Sequence, residues 1–246
     1  MPFRFQRPNP GSRKASIGVS VALVAFGAAC NHSRYGVNYD TRLPQLKRIA
    51  VVPGAVDVVS LHSGGVHEPR PDLSEAAGKR ASDNLLDVLA KRGVECKVVD
   101  EQLSFTEGDS SDLKQFALLF AVRDAIITHH YMFGSGRSID YSTGDLAKLT
   151  TGGDSVDAVL WYFMTGVVPT KGRKALKTTA IIVGVLTGVH FFVNTDEAVL
   201  VLMLVDVRTG EVLWFNLERA KADVREGRDI RKLVKSASRY LLKPRD

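Results

Sequence analysis

Leu204-Val205-Asp206-Val207-Arg208-Thr209-Gly210-Glu211-Val212-Leu213-Trp214 sets two apolar runs on either side of a short polar turn. A brief connection containing glycine between two apolar runs is the sequence form of a β-hairpin. The first run reaches back to Ala198, and the second continues through Phe215 to Glu218. The continuous apolar centre of another stretch, Ile49-Ala50-Val51-Val52, suits a strand covered on both faces. A sheet covered on both faces needs helices packed on it.

Working outward, Val156 to Val168 is a second apolar run, closed by Pro169. It is the third strand of the domain in chain order. The first is Lys47-Arg48-Ile49-Ala50-Val51-Val52-Pro53, which Pro53 and Gly54 are expected to end. Val94 to Val99 is the second. Ala55 to Leu73, with Gly64-Gly65, Pro69 and Pro71, reads as a long connection. A helix follows, capped by Asp72 or Ser74, with Ala77, Ala81, Leu85, Val88 and Leu89 near one face and Gly93 at its end. Ser104 to Asp112 reads as loop. Ser110 or Ser111 can cap a further helix through Leu113, Phe116, Ala117 and Phe120. Asp229 can cap a last one over Ile230, Leu233, Val234, Ala237, Tyr240 and Leu241.

The order is strand, helix, strand, helix, strand, insertion, hairpin, helix. It predicts an α/β (α+β) fold: a mixed sheet with helices packed on it, ending in a β-hairpin and a C-terminal helix. Helix and strand compete at Ala125 to Thr128, and Gly134 to Gly153 reads as loop in part. Lys171 to Val193, basic and then apolar, is an insertion with three readings. They are a helix buried against the sheet, a contact surface for membrane or another subunit, and true membrane insertion. Its uncharged run is short for a span, and Gly184 and Gly188 form a small-xxx-small pair suited to close helix contact.

Ahead of the domain, Ile17 to Cys30 reads IGVSVALVAFGAAC. Arg4, Arg7, Arg13 and Lys14 precede it, and no acidic residue occurs before Asp40. A basic start, an apolar run shorter than about 20 residues and a small-residue end mark a signal peptide over 1–29. Setting aside those four cations leaves 29 of the 33 basic residues against 27 acidic ones, a net charge of +2. That balance gives no reason to expect a nucleic-acid partner. Residues 30–46 read as a polar tether and 47–246 as a single domain.

Gly27-Ala28-Ala29-Cys30 resembles a bacterial lipobox, with Gly27 where leucine is usual. The resemblance implies lipid attachment at Cys30. Asn31 stands where inner-membrane lipoproteins carry aspartate, which implies the outer membrane, facing the periplasm. KRIAVVP (47–53), Asp157-Ala158-Val159-Leu160 and Leu204 to Trp214 together resemble a group of bacterial envelope lipoproteins. These are similar in fold to the curli-secretion lipoprotein and the amino-terminal domain of TolB. Such domains bind partners or assemble in the envelope, and they carry no catalytic residues over. The curli-secretion member builds a pore from inserted hairpins. No paired stretches of alternating lipid-facing residues support a pore here.

The search for chemistry is brief. Gly134-Ser135-Gly136 lacks a third glycine and a preceding strand. His129 and His130 are adjacent, so a helix or strand points them apart. Asp57, Asp154, Asp157, Asp206 and Glu211 sit at strand edges and turns, where carboxylates face solvent or cap the turn. Cys96 reads as a small buried side chain on a strand. No cofactor, metal or catalytic set is expected. The favoured expectation is a non-catalytic, membrane-anchored lipoprotein binding an envelope protein partner, or forming a homo-oligomer. The alternative is a periplasmic enzyme or small-ligand binder using the 55–73 loop, with His62, His67 and Glu68.

Overall fold

The computed structural model describes residues 33–62, 66–98, 110–133, 138–144, 146, 156–170, 181–184, 190–193 and 197–245. In chain order the elements are β1 (Arg34–Gly36), α1 (Tyr39–Arg42), β2 (Arg48–Leu61), β3 (His67–Pro69), α2 (Pro71–Ala90), β4 (Glu95–Val98) and α3 (Ser110–Ile126). A π-helical turn, Ile127–Met132, extends α3. Then come β5 (Ser138–Ile139), β6 (Ala158–Pro169), β7 (Ile181–Gly184), β8 (His190–Val193), β9 (Glu197–Asp206), β10 (Val212–Lys221) and α4 (Gly227–Ala237).

Among the described residues, eight strands form one mixed sheet in the order β3-β2-β6-β9-β10-β1-β5, with β4 also pairing β2. β6 lies parallel to β2 and antiparallel to β9. Ala158, Leu160, Tyr162 and Met164 pack with α2 and α4 on one face. Val159, Trp161 and Phe163 pack with α3 on the other. Covering on both faces is why the strand's sequence is continuously apolar. The mixed sheet, the helices on it, the closing hairpin and the C-terminal helix all stand as the sequence predicts.

β2 runs further than expected. It pairs with β6 from Ile49↔Ala158 to Leu61↔Pro169, with one irregularity between Pro53 and Ala55. Pro53-Gly54 is therefore a β-bulge within the strand and not its end. A bulge tolerates a residue without an N–H, and it shifts the side-chain phase. Ile49 and Val51 face α2 before it, and Val56 and Val58 do so after it. Gly54 allows the Phe163 ring to lie against the backbone, since a Cβ there would sit 2.1 Å from it. The expected 55–73 loop is thus strand, a β2–β3 hairpin and the first turn of α2.

The stretch read as a tether also belongs to the domain from Ser33 onward. β1 pairs with β10 through Arg34↔Phe215 and Tyr35↔Trp214, and with β5 in parallel. Tyr35 and Tyr39 are buried with their rings 5.0 Å apart. The Tyr39 hydroxyl donates to the Lys243 carbonyl at 2.9 Å, and burial pushes its pKa up. Two tyrosines in a polar stretch are too few to show a strand period, so the sequence hid this strand.

Helix ends differ in detail. α2 begins at Pro71 behind Arg70, and the Ser74 hydroxyl accepts the Val58 N–H instead of capping the helix. Gly93 ends it as expected: φ is +74°, with Gly93 N–H to Ala90 and Val94 N–H to Leu89 carbonyls, a Schellman arrangement. α4 begins after Glu226, placing Asp229 inside the first turn. Its buried face is Ile230, Leu233, Val234 and Ala237, as the pattern predicts, but the helix stops at Ala237, so Tyr240 and Leu241 of the expected face lie beyond it. Ala125 to Thr128 is helical, because Leu119, Val122, Ile126 and Ile127 continue one buried face.

In the insertion, the backbone of β7 pairs antiparallel with β8, from Ile181↔Val193 to Gly184↔His190. This overturns the helical reading for these residues. Gly184 lies in a strand, so the helical small-xxx-small pair does not form. Ile, Val and Phe favour extended backbone, which accounts for the outcome. It also supplies a pair of strands where the sequence reading found none. Residues 171–180 and 185–189, Gly188 among them, lie outside the described residues.

Two outcomes follow for stability. Trp161 and Trp214 are 1% and 0% exposed. Acrylamide should leave the fluorescence of the folded protein almost unquenched and quench it strongly in urea; free quenching in buffer would contradict the strand assignments. Deleting residues 31–45 removes β1 and the Tyr39 contact. A chain starting at Leu46 should melt at least about 5 °C below one starting at Asn31, consistent with loss of a buried aromatic and a strand edge. Equal melting temperatures would show that the segment is a tether after all.

Candidate functional site

The β2–β3 hairpin carries the histidines singled out in the sequence. Leu61 pairs with His67 and Ser60 with Glu68, while the His62 N–H donates to the Val66 carbonyl. His62 Nε2 meets Glu68 Oε2 at 2.7 Å in an exposed pair. His67 precedes Glu68 on the strand, so alternation directs it to the opposite face. The structure therefore brings together two of the three residues. Among the described residues, no group of three His, Cys, Asp or Glu side chains is placed to hold a metal ion. An exposed ion pair of this kind is screened by solvent and adds little to stability.

A more enclosed cluster lies at the π turn. His129 Nδ1 is 2.6 Å from the Tyr141 hydroxyl, and the ring of the buried His130 lies edge-on to Tyr141 with centroids 6.1 Å apart. The two adjacent histidines thus flank one phenol. Arg34 on β1 completes the cluster: its Nη2 donates to the His130 carbonyl at 2.7 Å, and its guanidinium stands 5.0 Å above the Tyr131 ring. The Tyr131 hydroxyl accepts the Leu217 N–H at 3.2 Å, and burial pushes its pKa up. π turns recur at functional sites because they re-aim side chains within a helix. Here the turn seats α3 against β1 and β10. Neither Arg34 nor Tyr141 carried a sequence signal, since each needs a partner far along the chain.

Arg123 forms a third cluster. It is 2% exposed, with its guanidinium carbon 4.5 Å from the ring centroids of both Phe120 and Phe163. Nε donates to Asp124 at 2.8 Å, while Nη2 is buried with no hydrogen-bond partner. Partial burial raises the pKa of the Asp57 carboxyl, and the charge of Arg123 opposes that shift. A cation between two aromatic faces is held by their quadrupoles as well as by its carboxylate.

The remaining candidates have structural roles. Asp157 accepts the Lys47 and Arg48 N–H groups, fixing the start of β2. Asp206 faces inward and not to solvent: fully buried, it accepts the Arg208 and Thr209 N–H groups and pairs with Arg42 Nε at 2.6 Å. Glu211 accepts from the Asn38 backbone and side chain. Cys96 is half-buried on β4, its thiol pKa raised first by burial and then by Glu95, which disfavours the reactive thiolate. Cys30, Asp154 and Gly134-Ser135-Gly136 lie outside the described residues.

No family model matches this chain, and no curated protein is significantly similar to it. Among solved structures, it is similar to a PelC dodecamer from Paraburkholderia phytofirmans. That structure, in space group P6, is 11% identical, with 82% of this chain and 91% of that one covered and a TM-score of 0.31. A single-residue variant of the same dodecamer, in space group C2, gives 11%, 81%, 90% and 0.29. Likeness at this level establishes neither fold nor function for this chain.

The Asp57 shift has a testable sign. A carboxyl with a raised pKa binds its proton more tightly folded than unfolded, so its contribution to stability falls as pH rises through the two values. Because Asp57 keeps an exposed side, solvent screens much of this effect, and Asp57→Asn should raise the melting temperature only slightly at neutral pH. The gain should vanish in acid, below the ordinary carboxylate range. A variant less stable than the parent at neutral pH would mean that the attraction of Arg123 outweighs the desolvation.

Proposed function

We propose that this chain is a lipid-anchored bacterial envelope protein whose domain binds a protein partner in envelope assembly or transport. The observation that carries the reading is the Ile17–Cys30 run, basic before it and ending in Gly27-Ala28-Ala29. Small residues there admit a signal peptidase, and the Cys30 thiol accepts a thioether-linked diacylglycerol. Asn31 favours the outer membrane, with the domain facing the periplasm. The partner is another envelope protein or a second copy of the chain.

Several buried polar groups hold elements of the domain together through their hydrogen bonds. Tyr162 joins β6 to α2 through the Ser82 hydroxyl and the Gly78 carbonyl. Asn216 joins β10 to the end of α4 through the Ala237 carbonyl. Arg92 donates to the Ser238 and Leu241 carbonyls just beyond α4. On this reading the domain is a rigid carrier of surfaces.

The test combines processing with crosslinking. Cys30→Ala should accumulate as an unprocessed precursor, and the mature N-terminal peptide should carry diacylglycerol by mass spectrometry. Crosslinking in intact cells should then capture an envelope protein or a second copy. Normal processing and membrane partition of Cys30→Ala would sink the anchor. Absence of any crosslinked protein, with activity lost on His62→Ala or Glu68→Ala at unchanged stability, would favour the ligand-binding or enzymatic reading.

A further inference from the structure

Ser33 and Arg34 are 5% and 8% exposed, so the chain is already held within the domain at Ser33. Cys30 stands three residues earlier. Three Cα–Cα steps of about 3.8 Å allow at most about 11 Å between the two α-carbons. If Cys30 carries the lipid, as the preceding section proposes, its glyceryl group sits at headgroup depth. The domain surface around Ser33 must then lie close to the bilayer.

That surface can be identified. The Arg34 side chain touches His130 and Tyr131 at the end of the π turn. The next two residues are Met132, 55% exposed, and Phe133, 76% exposed. Phe133 is the most exposed large apolar side chain among the described residues. The chain then returns to the same edge, where Ser138 pairs with Tyr35. Single exposed apolar residues are ordinary. Two in succession beside the point where a short lipid tether enters are less so.

We propose that Met132 and Phe133 form a membrane contact, seated at the headgroup–acyl boundary of the leaflet that holds the Cys30 lipid. The domain then stands on the bilayer by the β1–β5 edge of its sheet. Aromatic and thioether side chains partition into that boundary, and the acyl chains supply the affinity. The contact sets orientation: it points the β2–β3 hairpin away from the anchored edge. That hairpin lies at the other end of the strand order, its β2 strand four spacings from β1, or about 19 Å, and β3 one spacing further.

The full chain, purified from membranes with its lipid, is reconstituted into phosphatidylcholine vesicles with and without brominated acyl chains. Phe133→Trp and Met132→Trp each add one indole at the proposed contact. Val66→Trp, at a position 63% exposed on the hairpin, is the remote control. The buried Trp161 and Trp214 provide a background measured in the parent. Brominated lipid should quench the added emission of at least one contact variant two-fold or more, and that of Val66→Trp hardly at all. Proteins that float with vesicles but show no quenching at either contact position, or equal quenching at all three, would overturn the contact and leave the anchor standing. A parent chain that does not float would overturn the anchor and, with it, the premise of the contact.

Discussion

β6 has no solvent-facing side. Its two neighbours occupy both edges, and its alternate residues enter two separate cores, one under α2 and α4 and one under α3. The helices are therefore obligatory, since without them the strand would expose an apolar face whichever way it turned. Two of the domain's polar ties serve this strand. Asp157, just ahead of it, fixes where β2 starts alongside, and Tyr162 reaches out of it to Ser82 and Gly78 on α2. Gly166 is bare because the Val224 side chain packs onto it, where a Cβ would lie 2.6 Å away.

Two irregularities keep neighbouring strands in phase with this centre. In β2 the bulge at Gly54 lets Val56 and Val58 return to the α2 face after Ile49 and Val51. In β10 the shift between Val212 and Trp214 turns both Leu213 and Trp214 toward the α2/α4 core, while Val212 and Phe215 face α3. Strict alternation would have sent one of these large side chains to the wrong side. A one-residue slip inverts every side chain beyond it, so such bulges are part of the specification of the fold.

This explains what could be read from the sequence. The β9–β10 hairpin was legible because its signal is local: two apolar runs and a glycine turn, with Gly210 at φ +67°. α4 was legible from its period. The second half of β2 was not, because Pro53-Gly54 has the same letters in a bulge as at a strand end. β1 was not, because its stability comes from β10 and β5, both distant in the chain. The site shows the same division. His62 and Glu68 were found because they lie close in sequence. Adjacent His129 and His130 were read as diverging, yet Tyr141 reaches both once the helix widens into a π turn. Arg123 gave no signal, because a guanidinium held between Phe120 and Phe163 exists only when β6 and α3 are packed together.

The two ends of the domain close on each other. Lys243 receives the Tyr39 hydroxyl, Arg245 bonds the Gly36 carbonyl, and its guanidinium lies over the Tyr35 ring. β1, made early, waits for β10, made late, and both are then strapped by the last residues of the chain. Long-range closure of this kind is intrinsically slow, because the loop entropy must be lost before the contact forms. A ribosome or a translocation channel delivers such a chain vectorially, N-terminus first. The β1 segment therefore emerges before β10, its native partner, and stays unpaired until β10 has followed. The strand order alone makes the pairing of β1 wait for most of the domain to be made.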